Sequence, residues 1–167
     1  MKFSFIIPSL DSKPTHPEKW KAVSFWATPP MGVLYLATIL RNEGVEVSML
    51  DQAAKGFSKE ETVKWVRKEN PDILGFSTLT GSGQTAANIA KEVKKENSNI
   101  TIVFGGYHAT FNAEKLLNKY PCIDIAVRGE GEYTAVELVE HLEKRQKLKN
   151  VLGITLREKG RIISTPD

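Results

Sequence analysis

Two short apolar runs near the middle of the chain constrain its fold most. Pro71-Asp72-Ile73-Leu74-Gly75-Phe76-Ser77-Thr78-Leu79 is followed, one helix-length later, by Thr101-Ile102-Val103-Phe104-Gly105-Gly106-Tyr107-His108. Neither run alternates apolar with polar residues, and both end in small or hydroxylic ones. A strand with no polar face is covered on both sides, which is the environment of a parallel sheet between helices. Such strands release the chain at their C-terminal ends, where doubly wound folds bind ligands. Ser77, Leu79, Gly105 and Gly106 therefore fall where a large flat ligand would lie against bare backbone.

The rest of the chain repeats the pattern. Strands are expected at 3–8, 46–50, 73–77, 101–105 and 123–127, and helices near 30–43, 59–69, 83–96, 112–119 and 132–146. Strands alternating with helices give βαβ units with right-handed crossovers. Thr28-Pro29-Pro30 offers an N-cap with proline in the first turn, and Gly44 follows that helix. Ser58-Lys59-Glu60-Glu61 is a capping box, and Asn70-Pro71 stops the helix it starts. Residues 153–163 read as a terminal hairpin turning at Lys159-Gly160.

One connection departs from the pattern. About 20 residues, Ser9 to Thr28, separate the first strand from its helix, against roughly 2 to 6 in most α/β units. This loop carries Asp11, His16, Trp20, Phe25 and Trp26. It reads either as a binding loop at the ligand end of the sheet or as a cover for a core edge.

Composition narrows the class. The 167 residues suit one domain, and 23 basic against 20 acidic side chains are too balanced to indicate nucleic acid. Cys122 is the single cysteine, which excludes a disulfide framework and a thiolate metal cluster within these residues. No apolar run approaches the roughly 18 residues of a membrane span, and the first residues read as a strand. A cytoplasmic location is expected.

Several constellations are candidates for chemistry. Paired glycines at 105–106 admit a planar group where a Cβ would collide. Hydroxyls at Ser77, Thr78 and Thr80 can meet its polar edges. The N–H groups opening the helix at Gly81-Ser82-Gly83 favour an anion such as phosphate. Arg128-Gly129-Glu130-Gly131-Glu132 follows the fifth strand at the same edge; Glu132 suits the helix dipole, while Arg128 and Glu130 are placed to reach a ligand or a partner domain. His108 stands two residues past the glycine pair, His141 reads as a solvated helix residue, and His16 with Asp11 lacks a third group at metal spacing. There is no nucleophile elbow, P-loop or GxGxxG.

These residues resemble the N-terminal cobalamin (B12)-binding domain of B12-binding radical SAM proteins. The resemblance spans nearly the whole chain. It runs through Pro29-Pro30-Met31-Gly32, Leu36 to Arg41, Val45-Glu46-Val47 with Asp51, Pro71 to Ser77, Gly105 to Thr110 and Val127 to Glu132. It implies a flavodoxin-like (Rossmann-like) five-stranded parallel sheet of order 2-1-3-4-5, here with a C-terminal hairpin. Of the three-part motif DxHxxG, SxL and GG, the chain matches SxL at Ser77-Thr78-Leu79 and GG at Gly105-Gly106. Where DxHxxG would stand it has Pro8-Ser9-Leu10-Asp11-Ser12-Lys13-Pro14-Thr15-His16. The resemblance then implies a corrinoid bound base-off with no histidine on cobalt, or a domain of this fold that has lost the cofactor and serves as an interaction module.

Residues 1–150 are expected to form a cobalamin-binding domain, and 151–167 the hairpin and the start of a connection to a catalytic domain. The cofactor-binding residues are Ser77, Thr78, Leu79, Thr80, Gly105, Gly106, Tyr107, His108, Arg128, Gly129 and Glu130, with no catalytic residue and no protein ligand to metal. The domain is not catalytic alone. It presents cobalt to a radical SAM domain, in cis or trans, for methyl transfer or related chemistry. The [4Fe-4S] cluster and S-adenosylmethionine belong to that partner, whose CxxxCxxC motif this chain lacks. A bulky side chain at Gly106 is expected to block the ligand without unfolding the domain.

Overall fold

The computed structural model describes residues 1–11 and 29–167. His16, Trp20, Phe25, Trp26 and Thr28 lie outside the described residues.

Seven strands form one sheet in the order β2-β1-β3-β4-β5-β6-β7. They are β1 (Lys2–Ile7), β2 (Glu46–Asp51), β3 (Ile73–Ser77), β4 (Thr101–Gly105), β5 (Ile125–Val127), β6 (Ile154–Glu158) and β7 (Arg161–Ser164). The first five pair in parallel in the expected order 2-1-3-4-5. The terminal hairpin forms as expected and joins β5 antiparallel, so it extends the same sheet. Lys159 (φ 49°) and Gly160 (φ 78°) make its turn with left-handed angles at both positions.

Among the described residues six α-helices connect the strands: α1 (Met31–Asn42), α2 (Gln52–Lys55), α3 (Lys59–Glu69), α4 (Gly83–Glu96), α5 (Tyr107–Lys119) and α6 (Glu132–Glu143). Alternate strand residues serve opposite faces. Ile6, Leu74, Phe76, Ile102 and Phe104 pack under α3, α4 and α5. Phe3, Phe5, Ile73, Val103 and Ile125 pack under α1 and α6. That two-sided burial is why the strands carry no polar face.

Local chemistry fixes the helix ends. Ser58 and Glu61 form the capping box: the Glu61 N–H donates to Ser58 Oγ (3.2 Å) and the Ser58 N–H to Glu61 Oε2 (2.8 Å). Asn70 ends α3 in the left-handed region (φ 46°), immediately before Pro71.

Three elements differ from the sequence reading. Helix α5 begins at Tyr107, not near 112, because Gly106 turns the chain straight from β4 into the helix; a non-helical Asn112 (φ −133°) kinks it where the pattern had suggested a start. Strand β5 is shorter than expected. Asp124 still pairs with β4 there, its N–H donating to the Ile102 carbonyl (3.1 Å) and its carboxylate accepting the Ile102 N–H (2.7 Å). The short α2 went unforeseen. Asp51 caps it through the Ala54 N–H (2.9 Å), and its buried Gln52 accepts the Ser9 N–H (2.9 Å), tying the exits of β1 and β2 together.

Candidate functional site

Ser77 and Gly105 are register partners at the C-terminal ends of β3 and β4, so the two halves of the sequence signal meet at one edge of the sheet. Thr78, next in line, is 1 % exposed. Its N–H (2.8 Å) and hydroxyl (2.9 Å) both donate to the Gly105 carbonyl, and its own carbonyl accepts the His108 N–H (3.1 Å). Thr78 is thus a clasp between the two loops, and its hydroxyl is already used.

Gly106 has φ +85°, and a Cβ built there would stand 2.8 Å from the Thr78 carbonyl oxygen. No side chain fits that approach. At Gly105 nothing lies within 4 Å of a built Cβ. The glycine pair therefore has two roles: Gly106 lets the loops close, and Gly105 leaves open space above the strand end.

Below that space lies a cavity of about 150 Å³ between the sheet and helices α1 and α6. Its walls are apolar: Phe3 and Phe5 from β1, Val103 from β4, Val33 and Leu36 from α1, and Leu138 from α6. Gly75 forms part of the floor, where a Cβ would come within 2.7 Å of the Phe3 ring, so glycine in mid-strand makes room for the stacked Phe3 and Phe5 rings (4.3 Å between centroids). Ser77, Gly105, Gly106, Gly129, Gly131 and Glu132 ring the mouth. A flat apolar group enters such a site, with hydroxyl and backbone polar groups only at its rim.

The remaining expected site residues divide by position. Leu79 (53 % exposed) and Tyr107 (74 %) stand out from the same edge beside the mouth, with Thr80 and Glu130 also exposed. Gly129 (φ +65°) lines the cavity. His108 lies on the other side of the sheet, half-buried against Gly83, with its Nδ1 buried and without a partner among the described residues. Arg128 turns away from the cavity: its guanidinium donates to Thr155 Oγ1 (2.8 Å), the Thr165 carbonyl (2.5 Å) and Asp167 Oδ1 (2.6 Å). Glu132, read only as a helix-dipole residue, reaches the cavity mouth.

The helix opening at 81–83 is not a free anion site. The Asp11 carboxylate accepts the N–H groups of Thr85 (2.7 Å) and Gln84 (3.2 Å) at the start of α4, and the Asp11 N–H donates to the Gly81 carbonyl (2.6 Å). The chain supplies its own anion there. Among the described residues no group of three His, Cys, Asp or Glu stands close enough to hold a metal ion, and no helix is long and apolar enough to cross a membrane.

Phe3, Phe5, Val33 and Leu36 are not legible as site residues in the sequence, because each looks like ordinary core. The one signal was Gly75, an isolated glycine inside an apolar strand, which marks a close approach.

A cavity of this shape, floored by glycine and opening between β3 and β4, sits in a region matched by a family model. The model described as B12 binding domain covers residues 22–139. The chain belongs to the B12-binding domain family. An uncharacterized methyltransferase of Pyrococcus horikoshii is 36% identical to this B12-binding domain over 166 residues, 99% of the chain and 35% of that protein. The anaerobic magnesium-protoporphyrin IX monomethyl ester cyclase of Synechocystis is 32% identical over 91% of the chain and 31% of that protein. The domain thus spans about a third of the length of these curated relatives. Two solved structures share its fold over 99% of the chain. One is the cobalamin-dependent S-adenosylmethionine radical enzyme OxsB with aqua-cobalamin and S-adenosylmethionine bound (TM-score 0.77, 23% identity, 22% of that chain). The other is the radical S-adenosylmethionine methyltransferase TsrM from Kitasatospora setae with cobalamin and a [4Fe-4S] cluster bound (TM-score 0.79, 17% identity, 28% of that chain).

The residues present fit the family's cofactor. An apolar slot suits an aromatic lower base, and the bare strand end at Gly105 suits a flat macrocycle.

Proposed function

We propose that this B12-binding domain holds cobalamin base-off, with the nucleotide tail in the cavity under Ser77 and Gly105 and the corrin over the rim. The observation that carries this is the apolar cavity beneath a glycine-lined strand edge, in a chain of this family. Bound there, cobalamin would supply a cobalt centre able to carry a methyl group.

The chain's own residues have separable tasks. Phe3, Phe5 and Leu138 exclude water from the base. Ser77 and the glycine backbone meet polar groups of the tail. Leu79, Thr80, Tyr107 and Glu130 border the macrocycle, while Gly129 keeps the wall open. Thr78, His108 and Arg128 act from behind by fixing the loops that the others belong to. Residues 1–150 hold the cofactor, and 151–167, which add β6 and β7 to the same sheet, lead toward a radical SAM domain that uses the cobalt. The relatives support that arrangement, since this domain is about a third of each. The domain has no catalytic residue of its own.

The test is binding. Mixed with hydroxocobalamin and passed through a gel-filtration column, the domain should carry a corrinoid absorption band at roughly one equivalent, and the band should have the base-off form. Colourless protein after the column, from a sample that melts cooperatively, would leave a domain of this fold without its cofactor.

A further inference from the structure

A line of hydrogen bonds joins the cavity to the last residues of the chain. At the wall, the Gly106 carbonyl accepts the Thr110 hydroxyl (3.1 Å), and that hydroxyl oxygen accepts the Gly129 N–H (3.1 Å). Gly106 and Gly129 both line the cavity. One residue back, the Arg128 N–H donates to the Gly153 carbonyl (2.8 Å), and the Gly153 N–H donates to the Pro166 carbonyl (2.7 Å). The Arg128 guanidinium completes the line. Its Nη1 donates to Thr155 Oγ1 (2.8 Å), Nη2 to the Thr165 carbonyl (2.5 Å), and Nε and Nη2 to Asp167 Oδ1 (3.0 and 2.6 Å).

Exposure decides which of these contacts anchor. The Arg128 side chain is 16% exposed and Asp167 is 84% exposed, so solvent screens the ion pair. The bonds to Thr155 and Thr165 are shielded; without Arg128 the Thr155 hydroxyl keeps only Ser164 Oγ (2.9 Å), and the Thr165 carbonyl loses its guanidinium donor. Thr165 is 6% exposed, and its hydroxyl bonds both the N–H (3.0 Å) and the carbonyl (3.1 Å) of Ile154. Because β6 is antiparallel to β5 and β7 antiparallel to β6, β7 runs with the parallel strands. Residues 165–167 therefore emerge at the edge that carries Ser77 and Gly105.

We propose that Arg128 is a positioning residue that couples the cavity mouth to the placement of residues 153–167, and that it does so without touching the corrinoid. The inference rests on the cavity's taking cobalamin. Coupling of this kind is reciprocal: a ligand that fixes the mouth steadies the segment, and loosening the segment weakens the ligand. A forked guanidinium suits the task, because it reaches one partner on β6 and two in the segment after β7 from one rigid group.

The experiment measures hydroxocobalamin affinity, and hydrogen exchange in peptides from 153–167 with and without hydroxocobalamin. In the wild-type domain the ligand should slow exchange of that segment several-fold. Arg128→Gln should weaken binding roughly tenfold and abolish the slowing. Arg128→Lys, which keeps the charge and loses the fork, should fall between, and Asp167→Asn should stay near wild type. A residue that only stabilised the fold would lower Tm equally with and without hydroxocobalamin, leaving affinity and ligand-induced slowing intact; that result overturns the proposal. If Arg128→Gln does not fold, Thr110→Val cuts the same line at its cavity end and is read by the same two outcomes. Wild-type protein that binds no hydroxocobalamin overturns the cofactor reading and this one together. Binding by wild type and Arg128→Gln alike overturns this one alone.

Discussion

Gly106 lies against the backbone of Thr78 so closely that any Cβ on it would stand 2.8 Å from the Thr78 carbonyl oxygen and 3.1 Å from its nitrogen. The contact closes the loops after β3 and β4 on each other, and it corrects the expectation that a bulky residue at 106 would act only on the ligand. With φ at +85° as well, Gly106→Leu should cost about 1–3 kcal/mol from backbone strain alone, and more from the clash. The informative substitution is Gly105→Val. That position is extended strand with open space around it, so the variant should melt within a few degrees of wild type and lose retention of hydroxocobalamin on gel filtration. A folded Gly105→Val domain that still holds the corrinoid would put the tail elsewhere.

The floor of the cavity makes a second prediction. Gly75→Val places side-chain atoms where the Phe3 ring stands, 2.7 Å from a built Cβ. Overpacking of a filled core costs about 1–3 kcal/mol, so denaturant unfolding should shift by that amount. The displaced rings also narrow the cavity, and corrinoid affinity should fall with it. Loss of stability with affinity unchanged would show that the Phe3 and Phe5 stack does not shape the ligand slot.

How much of this was legible in the sequence depended on whether the signal was local. Strand runs such as 73–77 and 101–105 announce themselves by lacking a polar face, and the Ser58 capping box by its spacing; both formed as read. The start of α5 was misplaced because Gly106, its hinge, also read as the end of a strand turn. The anion-ready helix at 81–83 proved to be capped by Asp11, a partner some seventy positions away that no local pattern reveals. Likewise Phe3, Phe5 and Leu138 become cavity walls only once β1, β3 and α6 are assembled around Gly75. The edge that carries the site was readable, and the slot beneath it was tertiary.

Asp11 yields a third prediction. Its carboxylate satisfies two N–H groups at the start of α4, as an N-capping residue does. Asp11→Ala should destabilise the domain by about 0.5–2 kcal/mol in urea unfolding, and Asp11→Asn by less, since the amide oxygen still accepts. Equal losses in the two variants would mean that charge at the helix end, not the hydrogen bonds, sets the effect.

Acid should act through α3. The Glu61 carboxyl is held below its ordinary value of 4.5 mainly by the Ser58 N–H, and Glu69 mainly by its hydrogen bond from Lys2. A carboxyl depressed in the folded state gives stability that is present above the unfolded value and lost as pH falls through the folded one. The Tm should therefore decline as pH drops below 4.5, and Glu69→Gln should make the decline shallower. A Glu69→Gln profile parallel to wild type across that window would remove Glu69 from the account.

His108 provides the last. Its ring sits against α4, with Nε2 2.8 Å from where a Gly83 Cβ would be, and its backbone N–H donates to the Thr78 carbonyl. The cavity lies on the opposite face of the sheet, under α1 and α6, so the imidazole is directed away from the tail slot. His108→Ala should therefore leave the visible spectrum of the bound corrinoid and the EPR signal of its cob(II)alamin form unchanged, while lowering Tm through the lost packing between α4 and α5. Gly83→Ala, which pushes on the same ring from the other side, should lower Tm without changing either spectrum. Nitrogen superhyperfine splitting that is present in wild type and absent from His108→Ala would place this histidine on cobalt and refute the assignment.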